Sequence, residues 1–324
     1  MARAIVMRAP GGPEVLKVER VEVGQPGPGQ VRLRQTAVGV NFHDIYVRTG
    51  LYQTLPLPGV PGLEAVGVVE AVGPGVDQVR VGDRAGCLTR AYGAYADERL
   101  VDADLLIKLP DAVDDRTAAA TLLRGLTAQM LVHQVHAMRP GLTILVHAAS
   151  GGVGRLLCQW AHHMGASVIG TVGSEEKARS ARENGCDHVI LYRTEDFVER
   201  VQAITGGRGV DVAYDAVGKD TFMGSMTCLA RLGHMVNFGQ ASGPVDPIPM
   251  SLLFQKSNSV TRPNMFHYLE DPSRREQMTA SLFTALANGV ITPGALHEYR
   301  FEDIGRAQQN MEDRKTAGAV ILVP

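Results

Sequence analysis

Cysteine is scarce in this chain. The four residues Cys87, Cys158, Cys186 and Cys228 are scattered over 324 positions, and none stands in a CxxC pair. That argues against a disulfide framework or a cysteine-built zinc cluster and fits free thiols in a reducing cytoplasm. Long apolar runs are missing too. No stretch of 18 apolar residues occurs and no apolar signal segment follows Met1, so a soluble, cytoplasmic protein without a membrane partner is expected. Neither sign of charge dominates: 32 Lys and Arg stand against 34 Asp and Glu, a formal net charge of −2. Without a basic excess there is little to neutralise phosphates, and no nucleic-acid partner is expected. Repeats and low-complexity tracts are absent as well. The length suits one large or two ordinary domains.

What is present is a glycine turn in a telling place. Ile144 to Lys177 reads strand, turn, helix, strand. Ile144-Leu145-Val146 is a short apolar run of the kind a buried parallel strand needs. Ala149-Ser150-Gly151-Gly152-Val153-Gly154 follows, matching G-x-G-x-x-G with Ala149 in the first glycine place. Gly151 permits close backbone approach to a ligand, and Gly154 permits close packing of helix on strand. Helical periodicity then runs through Leu156, Leu157, Trp160 and Met164 to Gly165, and Ser167 to Val172 makes the second strand. Free N–H groups at such a helix start, together with the helix dipole, form a phosphate site.

The residues after the second strand select the nucleotide. A carboxylate there binds the ribose 2′-OH of NAD. This chain has Gly173 and Ser174, then Glu175, Glu176 and Lys177. Ser174 and Lys177, and Tyr192 after the next strand, suit a 2′-phosphate instead, so NADPH is the expected cofactor. The two glutamates suit the dipole of a solvated first helical turn.

In chain order, residues 1 to about 120 read as mostly β. The expected strands are Ala4–Met7, Leu16–Val23, Gln30–Val40, Glu64–Val72 and Gly93–Val101, separated by Gly- and Pro-rich turns in the manner of a compact barrel. Asn41 to Gly50 reads as a short helix. From Asp114 the character changes: Arg116 to Val135 is helical, and strands and helices then alternate, which implies a parallel sheet covered on both faces. A helix from Pro272 to Asn288 leads away. The tail returns to β character and is expected to rejoin the first domain.

Several segments together carry a family resemblance: Gly11 to Leu16, Gly39 to Phe42, Gly62 to Gly67, Val81 to Arg84, Ala148 to Gly154 and Gly170 to Gly173. The whole chain resembles the zinc-independent, zeta-crystallin-like NADPH:quinone oxidoreductases of the medium-chain dehydrogenase/reductase superfamily. The resemblance implies an α/β fold with a discontinuous GroES-like catalytic domain, residues 1–123 and 265–324. It implies a Rossmann domain at 124–264, a cleft between the two, and a homodimer. It implies that Asn41, Tyr46 and Tyr52 line the nicotinamide and quinone pocket. Thr127 matches a threonine near the nicotinamide, and Gly151, Gly152, Val153 and Gly154 match the pyrophosphate turn. Ser174, Lys177 and Tyr192 match the 2′-phosphate and adenosine contacts. Phe238 and Gly239 match a strand end facing the cofactor, and Arg314 matches a basic residue from the C-terminal segment. His43 departs from the pattern, which more usually has an apolar residue there.

Zinc-dependent relatives hold their metal with Cys, His or Glu and a further Cys. Here Asn41 takes the first ligand place and Gly62-Leu63-Glu64 replaces Gly-His-Glu. Three protein ligands are not supplied, so no metal is expected. A quinone, already electron-poor, needs no Lewis acid to accept hydride. An enoyl or alkenal reductase on the same frame is the alternative. A non-catalytic nucleotide- or RNA-binding role is a further one.

Overall fold

The computed structural model describes every residue from Met1 to Pro324 and begins with β1 (Ala2–Val6), paired antiparallel with β2 (Lys17–Val21). β3 (Gln30–Val40) is a long strand whose first half alternates: Val31 and Leu33 are buried, while Arg34 is exposed. From Ala37 to Val40 every residue is buried, so this half is covered on both faces. Helix α1 (Phe42–Arg48) follows at once, and Gly50 ends it at φ 81°. β4 (Glu64–Val72) pairs with β3, and β5 (Arg84–Leu88) pairs with β4. β6 (Glu98–Asp102) pairs with β3 and β7 (Leu106–Lys108) with β5, all antiparallel. The strand expected from Gly93 starts only at Glu98. Tyr92 and Gly93 sit at φ 60° and 88°, so the chain turns there instead of extending. Helix α2 (Asp115–Gln129) continues into a wider π-helical turn, Met130–Val135.

The next stretch alternates regularly. Its strands are β8 (Thr143–Val146), β9 (Ser167–Val172), β10 (His188–Leu191), β11 (Val210–Asp215), β12 (Leu229–Asn237) and β13 (Ser259–Thr261). Between the first five of them lie α3 (Gly152–His163), α4 (Glu175–Glu183), α5 (Phe197–Ile204) and α6 (Phe222–Cys228). The short α7 (Ser251–Phe254) precedes β13. All six strands are parallel, in the order β10-β9-β8-β11-β12-β13. That is the doubly wound order of a Rossmann sheet, with the direction of winding reversing between β8 and β11. Leu145, Ile169, Ile190, Ala213 and Met235 are buried along the strands, and Val201, Phe222 and Met226 from the helices complete that core.

After α8 (Met265–Leu269) and α9 (Pro272–Ala287) the chain forms β14 (Leu296–Tyr299), α10 (Ile304–Glu312) and β15 (Ala319–Leu322). β15 lies parallel to β14 and antiparallel to β3, pairing Val320 with Val40. The resulting sheet has seven strands in the order β14-β15-β3-β4-β5-β7, with β6 on β3. The fully buried Arg48 reaches both carboxylate oxygens of Glu312 at 2.7 and 2.8 Å, which ties α10 to α1.

By compactness the chain divides into Met1–Leu123 with Pro293–Pro324, and Arg124–Thr292. Residues 265–292, expected with the first domain, therefore cluster with the second. The reason is packing. Met278 and Leu282 of α9 are wholly buried, and a Cβ at Gly125 would meet Leu282 Cδ1 at 2.4 Å. Leu282→Ala is expected to destabilise the second unit by about 2–5 kcal/mol, read from the midpoint of urea unfolding.

Candidate active site

Strand β8 ends at Val146, beside the point where the sheet's winding reverses. Ala148 turns the chain with φ 53°, and Gly151 in extended conformation caps α3. A Cβ at Gly154 would lie 2.2 Å from the Ala148 carbonyl oxygen, so only glycine lets the helix start this close to the strand end. The first N–H groups of α3, on Gly152, Val153 and Gly154, have no acceptor within the helix. This is an anion cradle at the position where a doubly wound sheet binds its ligand.

The end of β9 supplies hydroxyl and basic groups. Ser174 caps α4, its oxygen accepting from the Lys177 N–H at 3.3 Å, so its own hydrogen is left to donate. Glu175 and Glu176 are exposed in the first turn of α4. A Cβ at Gly173 would lie 2.7 Å from the Tyr192 hydroxyl and 3.4 Å from Arg193 Nε. The structure therefore sets Tyr192 and Arg193 beside Gly173, with Ser174 next in the chain and Lys177 in the first turn of α4. Arg193 escaped the sequence reading, although a cation directly after Tyr192 was its signal.

In the first unit, Asn41 caps α1. Its N–H donates to Asp44 Oδ2 at 2.7 Å, an oxygen that also accepts from the Tyr95 hydroxyl at 2.9 Å. Its side-chain Nδ2 donates to Glu64 Oε1 at 2.7 Å, and the Leu123 N–H donates to Glu64 Oε2 at 2.6 Å. A carboxylate only accepts, so the Asn41 amide must turn its nitrogen to Glu64 and its oxygen away. Gly39 makes room, because a Cβ there would fall 2.0 Å from Glu64 Oε1. Along α1, His43 and Tyr46 are neighbours at i, i+3 and both set ring edges against Tyr52, with centroids 5.2 and 5.1 Å apart. A cavity of about 290 Å³ lies beside Tyr52, lined also by Met7, Val47, Leu55 and Leu57. His43 Nε2 lies 3.0 Å from the Tyr92 hydroxyl, which is also hydrogen-bonded to Thr54 Oγ1. Burial, with a smaller push from the Arg90 charge, lowers the His43 pKa to about 4. Burial raises that of Tyr92.

The other expected residues are spread over both units. Thr127 lies on α2 with its hydroxyl 3.5 Å from the Met265 sulfur. Phe238 and Gly239 follow β12, both N–H groups turning back to the Asp215 carbonyl at 2.8 and 3.3 Å. Asn237 beside them is held by Arg262, which also donates to Gln240 at 3.0 Å. Arg314 is exposed just past α10, at φ 58°.

Residues 27–111 match the alcohol dehydrogenase GroES-like domain, and residues 152–283 match the zinc-binding dehydrogenase family. The chain is 45% identical to a 2-haloacrylate reductase from a Burkholderia species, covering 100% of this chain and 99% of that one. It is 42% identical to a quinone oxidoreductase of Pseudomonas aeruginosa over the full length of both. The crystal structure of Escherichia coli quinone oxidoreductase complexed with NADPH superposes with a TM-score of 0.97 at 41% identity, covering all of both chains. The chain belongs to the quinone oxidoreductase family of medium-chain dehydrogenases/reductases.

In this quinone oxidoreductase relative both oxygens of Glu64 are engaged by protein donors. No three His, Cys, Asp or Glu side chains gather as a metal-binding group. His133 and His136, the i, i+3 pair on the sequence, do not converge: His133 sets its ring edge on Trp160, while His136 faces His234 at 3.2 Å.

The position of His43 has a consequence for stability. The unfolded chain binds its proton near pH 6.5 and the folded chain only near pH 4. Between those values the unfolded state holds more protons, so stability rises with pH there and is lost as pH falls through the window. Other buried histidines, such as His147 and His234, are shifted the same way. The urea midpoint of His43→Asn is expected to fall less steeply than wild type from pH 6.5 to 4, the difference isolating this one residue.

Proposed function

We propose that this protein reduces quinones by hydride transfer from NADPH. One observation carries the reading: the strands beside the glycine turn are followed by hydroxyl and basic residues, Ser174 and Lys177 after β9 and Tyr192 and Arg193 after β10, with no carboxylate closing β9. End-to-end likeness to an NADPH-complexed quinone oxidoreductase supports it. The residues present fit the cofactor. The space that a Cβ at Gly154 would fill is taken by backbone, and with the Gly151 N–H turned back to the Ala148 carbonyl at 2.9 Å the amides of Gly152, Val153 and Gly154 are left to hold a pyrophosphate, with Gly151 allowing its close approach. Ser174, Lys177, Tyr192 and Arg193 would hold the 2′-phosphate. Thr127, Phe238, Gly239 and Arg314 would contact the remainder. Bound there, the reduced nicotinamide supplies the hydride.

The chain's own part is positioning and charge stabilisation. Glu64 fixes which way the Asn41 amide faces, and its oxygen would accept from a ribose hydroxyl. Tyr46 and Tyr52 donate to the acceptor oxygen as negative charge develops there. The cavity beside Tyr52, its apolar side chains joined by Gln53, suits a flat, weakly polar ring. We further read the working assembly as a cytoplasmic homodimer, for which the outer edge of β13 is available. The 2-haloacrylate reductase at 45% identity favours a second reading, hydride addition to an activated double bond.

Initial rates with NADPH and NADH against quinones, 2-alkenals and 2-haloacrylates test both readings. Quinone turnover with a preference for NADPH of roughly ten- to a thousandfold is the expected result. Turnover confined to the alkenes would replace the first reading with the second. Arg193→Ala and Lys177→Ala are each expected to raise the KM for NADPH about tenfold or more, with the KM for NADH nearly unchanged. An equal rise for both cofactors would remove the residue from the 2′-phosphate site.

A further inference from the structure

Three polar groups run in series from solvent to the aromatic pocket of the first unit. Thr54 is exposed. Its hydroxyl is bonded to that of Tyr92, which is buried, and the Tyr92 hydroxyl lies 3.0 Å from His43 Nε2. The His43 ring in turn packs edge-on against Tyr52, 5.2 Å between centroids. Tyr92 is held at φ 60°, a left-handed conformation that costs an ordinary residue about 1 kcal/mol or more. The Arg99 guanidinium donates to its carbonyl at 2.8 Å and secures that conformation. With Nε2 facing Tyr92, Nδ1 is the ring nitrogen left for an acceptor. The charged groups acting on the series are Arg90, which disfavours an imidazolium, and Asp44, which acts on Tyr92.

We propose that Thr54, Tyr92 and His43 form a relay that delivers the solvent proton needed to finish quinone reduction. The relay rests on the quinone-reductase reading. The quinone gains a hydride, two electrons and one proton, and becomes a hydroquinone monoanion. Its oxygen then takes the proton from His43 Nδ1. In the same sense the Tyr92 proton moves to Nε2 and the Thr54 proton to Tyr92. A buffer acid in solvent replaces the proton on Thr54, so each group ends as neutral as it began. Only the imidazole tautomer changes, and exchange of the ring protons with solvent, one lost from Nε2 and one gained at Nδ1, restores it before the next turnover. A histidine that stays neutral suits this role, because the relay never requires an imidazolium. His43 is the catalytic residue of the series, and Tyr92 and Thr54 act through it.

Two measurements decide it. Nitrogen-15 NMR of the wild-type protein is expected to show His43 as the Nδ1–H tautomer, with Tyr92 donating to Nε2. In Tyr92→Phe that preference is expected to disappear. A wild-type His43 in the Nε2–H form would overturn the relay. In steady-state reduction of 1,4-benzoquinone by NADPH, Tyr92→Phe is expected to lower kcat about a hundredfold and to alter the solvent deuterium isotope effect. The KM for NADPH should hold, and His43→Ala should be rescued by added imidazole. Equal kcat and isotope effect for wild type and Tyr92→Phe would remove the relay and leave the quinone reading standing. A wild type that does not reduce 1,4-benzoquinone with NADPH would remove both.

Discussion

The first unit's pocket depends on one buried carboxylate. Removing an ionised carboxylate from water is expensive unless hydrogen bonds replace the lost hydration. Glu64 has that replacement, with one oxygen taken by the Asn41 amide and the other by the Leu123 N–H. It fits only because Gly39 has no side chain. Since a carboxylate can only accept, it dictates which way Asn41 faces. Asn41 then caps α1, and α1 carries His43 and Tyr46 into their places against Tyr52. A group that need not touch any reacting atom thus sets the orientation of those that would.

The second unit solves a different problem with backbone alone. A parallel sheet in the order β10-β9-β8-β11-β12-β13 leaves open space beyond its strand ends where the winding reverses. The turn from Val146 to Gly152 fills that space with amides, and the close approach at Gly154 keeps side chains out of it. Recognition of a phosphate is then a matter of which short side chains follow β9. Ser174 serves twice, its oxygen capping α4 and its hydrogen free to bind outward.

Much of this was legible in the residues, for identifiable reasons. The glycine turn and the strand–helix alternation are local patterns, and each appears where the pattern places it. The short strands β5 and β7 were missed: Arg84–Leu88 contains a glycine, and Leu106–Lys108 is only three residues long, too short to show a period. Both are strands because neighbours pair with them. The strand expected from Gly93 failed on two positive φ angles that tertiary contacts impose. The placement of α9 was also beyond reach, since Leu282 packing over Gly125 is a contact between residues far apart in sequence. In the pocket, His43 stood out as an unusual polar residue, but its partner Tyr92 lies on a loop that no local rule connects to α1.

The pairing of β15 with β3 bears on the order of events during synthesis. Val320 meets Val40, so the Val38–Val40 end of β3, beyond the part that β6 pairs, stays bare on that side until the ribosome has read through the entire second unit. The second unit is continuous in sequence and can complete its core while the chain is still growing. The first unit must wait, with the Val38–Val40 end of β3 exposed to other nascent strands. Its assembly is therefore the late step, and the C-terminal β15 segment acts as the closing piece.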